Sequence, residues 1–338
     1  MREDQHFESW KKMVLRSMPS PAWLGADNPE GDIVISTRIR YARSLRGFRF
    51  PHHASNDDLK RVQSAVRSAS KGLKLDQMNR MSEAERDFLL GSRLISPDFQ
   101  HREPGRALLL DESRTVSVMV NEEDHLRLQA LTPGWSLPNA QVAADHVLDH
   151  LSDRIQFMSH PRFGFLTASP YNAGEARRRS ALFHLIGLAH TKHLPSVLKA
   201  LAAWDLTARG LFGETSRAVG AFFQVSATRG DVSEFRGACE YLIQEERRAR
   251  REVTRDTLHE KTRSAIQFAV ASMDLSLAEA LRVFAWVRWS ASAGLTLGPV
   301  TPRDVDLWVS SMEVHGTQDS QTAARQRAVF VRNRVEYL

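Results

Sequence analysis

A single cysteine, Cys239, stands in 338 residues, which excludes an internal disulfide and any cysteine-built zinc site. Long apolar runs are equally scarce: nowhere do the roughly 18 uninterrupted apolar residues of a membrane helix occur. The opening Met1-Arg2-Glu3-Asp4-Gln5-His6 carries acids and lacks the apolar core of a secretory leader. These absences point to a reducing, cytoplasmic setting and to no membrane partner. Thirteen histidines are scattered without a spacing such as His-Glu-x-x-His, so no protein-built metal site is expected. Internal repeats and low-complexity blocks are missing as well.

What is present has the make-up of an ordinary globular protein. Hydrophobic residues account for 42% and charged residues for 25%, enough for a packed core. Single cores seldom grow past about 250–300 residues, so two domains are expected. The 46 Lys and Arg against 40 Asp and Glu leave a net charge of +6 spread along the chain. Such an excess suits an anionic partner, nucleotide or nucleic acid, and equally a plain solvated surface.

Ala107 to Leu110 and Thr115 to Val120 read as two strands joined by the polar turn Asp111-Glu112-Ser113-Arg114, which delivers Asn121-Glu122-Glu123-Asp124-His125 at a strand end. From Asn139 to Met158 the apolar positions Ala144, Leu148, Leu151, Ile155 and Met158 follow the helical period. Phe163 to Thr167 reads as a short strand, a loop with Pro170, Asn172 and Gly174 follows, and a helix is expected to start near Arg178. Short strands are expected at 205–209 and 221–226. Asp231-Val232-Ser233-Glu234 has capping-box spacing and opens a helix that runs into the charged stretch Glu245 to Arg251. Beyond about residue 254 strand signals vanish, so the expected domains are 1–253 and an all-helical 254–338.

Arginine is dense in short clusters: Arg38-Ile39-Arg40, Arg127, Arg177-Arg178-Arg179 and Arg209. A guanidinium is a planar fork of donors that grips phosphate oxygens in pairs, so converging arginines would hold a triphosphate. Taken one at a time, each cluster reads more simply as a solvated strand edge. Two acidic segments, Asn121-Glu122-Glu123-Asp124 and Gly213-Glu214, lie beside arginine clusters and could equally be surface acids neutralising them.

Four blocks in order carry a family likeness: Val34-Ile35-Ser36-Thr37-Arg38-Ile39-Arg40, Asn121-Glu122-Glu123-Asp124-His125-Leu126-Arg127, Leu166-Thr167-Ala168-Ser169-Pro170-Tyr171-Asn172-Ala173-Gly174 and Arg209-Gly210-Leu211-Phe212-Gly213-Glu214. They resemble the signature blocks of the phosphagen (guanidino) kinase family. Phe183-His184-Leu185 and the helical tail resemble its bacterial protein-arginine kinase branch. The resemblance implies an α+β fold, an antiparallel sheet flanked by helices, followed by an all-helical C-terminal domain. It implies ATP-dependent phosphorylation of arginine in proteins, with ATP and Mg²⁺, the metal held mostly by nucleotide phosphates.

Position by position, the resemblance assigns ATP phosphates to Arg38, Arg40, Arg127, Arg178 and Arg209. The nucleotide-binding stretches are Ser36-Thr37-Arg38-Ile39-Arg40, Arg178-Arg179-Ser180-Ala181-Leu182 and Arg209-Gly210-Leu211-Phe212-Gly213-Glu214, with Arg93 where the family has a histidine. Glu123 and Glu214 are the implied catalytic acids. Guanidinium has no free lone pair, so a carboxylate must orient it and accept its proton as nitrogen attacks. The implied partners are arginine-containing protein substrates, an activator protein, degradation machinery of protein quality control and a second copy in a homodimer, with no nucleic acid.

Besides Arg93, the chain departs from the family in a loop and in the tail. The family loop Cys-Pro-Thr-Asn-(Val/Leu)-Gly-Thr-Gly is Ser169-Pro170-Tyr171-Asn172-Ala173-Gly174-Glu175-Ala176 here, replacing a thiolate by a neutral hydroxyl and weakening substrate polarisation. Glu175 would repel phosphate unless it turned outward or paired with Arg177 or Arg179. In the tail, the phosphoarginine-reading motif Arg-Asp-x-x-Arg-Ala becomes Ala323-Ala324-Arg325-Gln326-Arg327-Ala328, which leaves Arg327 expected on a helix surface. The main expectation is an active kinase. A catalytically weakened pseudokinase that binds ATP or arginine is the alternative, and a small-guanidine kinase is disfavoured because the long helical N-terminal domain of that branch is missing.

Overall fold

The computed structural model describes residues 20–24, 28–70, 72–101, 103–211, 218–296, 298–315 and 319–338. Its centre is an eight-stranded antiparallel sheet in the order β2-β3-β4-β5-β1-β8-β10-β9. The strands are β1 (Val34–Arg43), β2 (Lys74–Gln77), β3 (Ala107–Leu110), β4 (Val116–Val120), β5 (Leu126–Pro133), β8 (Arg177–His184), β9 (Thr207–Gly210) and β10 (Phe222–Ala227). A separate hairpin pairs β6 (Ser159–His160) with β7 (Gly164–Phe165). The helices are α1 (Asn56–Ala69), α2 (Glu83–Gly91), α3 (Leu137–Ser152), α4 (Ile186–His190), α5 (Leu194–Ala202), α6 (Val232–Arg251), α7 (Arg255–Ala271), α8 (Leu277–Ser292), α9 (Pro302–Ser311) and α10 (Ser320–Val335).

β1 lies mid-sheet between β5 and β8, although both follow it by many residues. Its sequence, rich in β-branched residues and alternating in character, suits a strand buried on both faces. Ile39 and Tyr41 point to the face covered by α3, where Ala140, Ala144 and Leu151 are buried, while Arg38 and Arg40 point the other way. The period-two alternation of one strand thus separates an apolar core from a cationic face.

The helix expected near Arg178 is instead β8, a correction with a clear cause. Arg, Ala and Leu are good helix formers, but here the segment is flanked on both sides: Arg40 pairs with Arg178 and Arg38 with Ser180 on β1, while Ser226 pairs with Ser180 and Gln224 with Leu182 on β10. Two ladders of hydrogen bonds override local propensity. The helix expected over 139–158 ends at Ser152, and Ile155 stays buried just beyond it. Asp231 caps α6 by accepting from Ser233 N at 3.0 Å.

The tail is helical from Arg255 onward, and one apolar cluster runs from the sheet residues Phe183 and Phe222 into Phe284, Val287 and Phe330 of the tail. A fully buried charge pins the two parts. Arg288 of α8 grips Asp306 of α9 with two bonds (Nε to Oδ1 2.7 Å, Nη2 to Oδ2 3.0 Å) and donates to the carbonyls of Asp32 (2.7 Å) and Gly31 (2.8 Å), just before β1. Removing one partner of such a pair strands a buried charge. Arg288→Ala is therefore expected to lower the unfolding free energy by about 3–5 kcal/mol, whereas Arg288→Met with Asp306→Leu loses much less, as read by urea denaturation.

Candidate active site

The cationic face of the sheet lines a cavity of about 370 Å³. Arg38 and Arg40 from β1, Arg127 from β5, Arg178 from β8 and Arg209 from β9 all border it, joined by Arg93 from the loop after α2. Register explains the gathering. Arg40 lies opposite both Gln129 and Arg178, and Gln224 lies opposite both Leu182 and Arg209, so these side chains project from one face of neighbouring strands. Gly210, Leu211 and Leu182 also border the cavity.

Neutral acceptors hold some of these cations apart. Arg38 donates from Nε to Ser180 Oγ (3.4 Å), from Nη1 to Gln129 Oε1 (3.5 Å) and from Nη2 to Gln224 Oε1. Arg93 donates to Ser36 Oγ and, at 3.1 Å, to the same Gln224 oxygen, while Arg178 donates to Ser226 Oγ at 2.7 Å. Arg93 itself adopts left-handed backbone, φ 60°, a cost that bulky residues bear only where the surroundings enforce it. Arg40 is different: its Nε and Nη2 are buried and have no hydrogen-bond partner among the described residues.

Burial lowers the pKa of Arg38 and Arg40 well below the usual guanidinium value, and the neighbouring arginines lower it further. Burial alone brings Arg93 to about 10. Arg178 is lowered by burial, then by Arg209 and Arg127. A pocket of desolvated cations with buried donors fits a polyanion, and forked donors suit the paired oxygens of phosphate groups.

The tight turn 121–125 sits at the cavity's edge. Buried Glu122 takes Arg127 Nη1 and Ser96 Oγ (2.7 Å) on one oxygen and Glu123 N (2.8 Å) on the other, which shapes the turn and leaves the Glu123 carboxylate exposed, 3.6 Å from Arg127 Nη2. Burial raises the Glu123 pKa; Arg127 opposes the rise, and Asp124, Glu122 and Asp98 add to it. Asp124 accepts from Ser44 Oγ (2.8 Å) and Ala168 N (2.7 Å), tying the 166–174 loop to the same turn. His125 bridges Leu45 N (3.1 Å) and Arg49 O (2.9 Å) with its two nitrogens, a structural strut.

Alternation also sends several expected site residues elsewhere. Thr37 bonds Gly134 O (2.6 Å), Ile39 is in the core, Ala181 pairs with Thr37, and buried Arg179 donates to Gly230 O (3.3 Å), all on the face away from the cavity. Ser36 and Ser180 serve as acceptors for Arg93 and Arg38. Phe212, Gly213 and Glu214 lie outside the described residues. Glu175 pairs with Arg177 at 2.9 Å and reaches Arg179 at 3.9 Å, so its charge is spent on the opposite face of the sheet from Arg38, Arg40 and Arg178. Sequence reasoning gave no role to Glu122 of the turn and missed Gln129, Gln224 and Ser226; the signal of these last three was a polar residue two positions from another polar residue on a strand.

A family model for the C-terminal catalytic domain of ATP:guanido phosphotransferases matches residues 57–245. The chain belongs to the ATP:guanido phosphotransferase family. Among family relatives, the protein-arginine kinase of Pelotomaculum thermopropionicum is 35% identical over 82% of this chain and 84% of its own length. That of Halothermothrix orenii is 34% identical over 86% and 85%. Of solved structures, a duplicated taurocyamine kinase from Schistosoma mansoni with bound transition-state analogue components aligns with a TM-score of 0.58 at 23% identity, over 68% of this chain and 36% of that longer one. Lombricine kinase aligns at 0.58 and 19% identity, over 70% and 73%. At those identities the structures speak for the fold alone.

In this family member the expectation of a surface Arg327 is overturned. Arg327, on α10, which packs against α7 and α8, is buried and grips Glu313 with two bonds, Nε to Oε1 at 2.6 Å and Nη2 to Oε2 at 2.9 Å. Arg40 generates the testable consequence. Arg40→Met is expected to stabilise the unliganded protein by about 0.5–2 kcal/mol, since it removes a desolvated cation crowded by other arginines, with two buried donors unbonded among the described residues. The same change should shrink the rise in melting temperature produced by inorganic tripolyphosphate, whereas Glu175→Ala should leave that rise at the wild-type level.

Proposed function

We propose that this chain is an ATP-dependent protein-arginine kinase. The observation that carries the reading is the convergence of six arginines on one cavity, Arg38, Arg40, Arg93, Arg127, Arg178 and Arg209, with the carboxylate of Glu123 beside Arg127 at its edge. The arginines bind the triphosphate, whose own phosphate oxygens would hold Mg²⁺ and whose charge that ion would help neutralise. Glu123 and Glu214 take the guanidinium of a substrate arginine.

Phosphoryl transfer demands positioning and charge neutralisation more than covalent help. A substrate nitrogen attacks the γ-phosphorus, a P–N bond forms, the bond to the β,γ-bridging oxygen breaks, and ADP leaves with that electron pair. The guanidinium proton passes to a carboxylate. Glu123 suits this task, because burial raises its pKa and so makes it a better base than an ordinary glutamate. Outward pairing of Glu175 removes the main reason to favour the weakened-pseudokinase alternative. Protein substrates, an activator protein, degradation machinery, a homodimer, a cytoplasmic setting and the division at 253/254 belong to the proposal on the strength of the resemblance.

Incubation with ATP, Mg²⁺ and an unfolded arginine-rich protein should yield acid-labile phosphate on arginine; ATP binding without such phosphate would sink the kinase reading. Glu123→Ala should cut turnover by about 100-fold or more while ATP affinity stays within about twofold, because the acid serves the acceptor and the arginines the donor. The base must be ionised, so kcat/KM should fall as pH drops through the raised Glu123 pKa, and Glu123→Gln should abolish that acid limb in a pH–rate profile.

A further inference from the structure

The sheet accounts for the guanidinium wall of the cavity, and the remaining wall has another origin. Leu90 and Gly91 come from the end of α2, Val309 and Ser310 from α9, and Glu313 from the segment after α9, with Trp23 beside them. This part is mainly apolar, and it meets the cationic part where the Arg93 guanidinium lies 5.9 Å from the centre of the Trp23 ring. We propose that the C-terminal helices build the end of the cavity that takes the base of the nucleotide, with Arg327 as a positioning residue that holds Glu313 in its wall. The inference rests on the reading that the cavity binds ATP.

Two contacts couple the tail to the site. The first is between helices: a Cβ on Gly91 would lie 2.0 Å from the carbonyl oxygen of Ser310, so α2 and α9 touch backbone to backbone where only glycine fits. Arg93 follows two residues later and reaches Ser36 and Gln224 on the sheet, so the seat of α9 sets where that guanidinium points. The second is the ion pair. Glu313 is 27% exposed and borders the cavity, while Arg327 behind it is 8% exposed and also donates to Leu275 O at 2.7 Å. His315 lies 3.4 Å from the Glu313 carboxylate, and its backbone N–H donates to Asp87 of α2 at 3.4 Å.

Burial pushes the Glu313 carboxyl up, but hydrogen bonds from His315 and Arg327 outweigh it and hold the group at about 2, fully ionised. The charge is spent on those partners, which leaves the wall shaped for a flat, apolar ring and the phosphate-gripping arginines elsewhere. The arrangement divides one ligand in two: phosphates on the sheet, base on the tail.

Two probes separate the halves, ATP and inorganic tripolyphosphate, each titrated calorimetrically into the full chain. Val309→Trp, which fills the tail wall, and Arg327→Ala, which frees Glu313, should each weaken ATP by about tenfold and leave tripolyphosphate within about twofold. Arg327→Lys, which keeps the charge without the fork, should recover part of the ATP affinity. If Arg327→Ala does not fold, Val309→Trp carries the test, because it leaves the ion pair intact. Equal losses for both probes, or no loss for either, would overturn the inference. A wild-type chain that binds tripolyphosphate as tightly as ATP would overturn it too. Failure of the wild type to bind either probe would instead defeat the ATP reading beneath it.

Discussion

Mutual repulsion among buried guanidinium groups is the constraint around which this protein is organised. At an effective dielectric of about 20, two like charges 4 Å apart cost on the order of 4 kcal/mol, and several arginines share this face. The sheet answers with rigidity and neutral acceptors. Gln224 serves Arg38 and Arg93 at once, and Gln129 is held in turn by donating to Ser117 Oγ at 2.9 Å and to Arg93 O at 2.8 Å. A carboxylate in those places would quench the field that an incoming polyanion must feel. The amides fix geometry without spending charge.

The sheet also works as an insulator between two charge systems. Arg38, Arg40 and Arg178 occupy one face, and Glu175 with Arg177 and Arg179 belongs to the other. A one-residue slip in β8 would exchange them and place the carboxylate among the guanidinium donors of the cavity. Pairing of β8 with β1 and β10 on both sides makes that slip prohibitive.

Local patterns made the tail helices and the strands β3, β4, β9 and β10 legible, whereas the antiparallel fold class and the arginine-bearing segments came from the resemblance of the family blocks. Less legible was which residues of a block face the cavity: Arg178 and Arg179 are neighbours in the chain and point to opposite sides once β8 is a strand, yet the same letters read as a helix in isolation. Arg327 misled for a related reason. Its partner Glu313 stands in another helix's exit, and nothing local announces a pairing that only tertiary packing creates. The support given by Gln129 and Gln224 is similarly invisible, since a glutamine on a strand has no distinctive chemistry until its neighbours across the sheet are known.

The pin between Arg288 and Asp306, and the seat of Ser310 on Gly91, bear on the order in which the molecule comes into being. Synthesis runs from the N-terminus at about 5–20 residues per second, so the whole sheet with its arginines leaves the ribosome before α9 and α10 exist. For several seconds the nascent chain carries a cationic, half-walled cleft and an uncovered carbonyl pair at Gly31 and Asp32. Such an intermediate would attract polyanions indiscriminately, nucleic acid included, and the arrival of α9 and the segment after it would complete the cavity wall. Selectivity would thus depend on helices that are made well after the sheet they wall in.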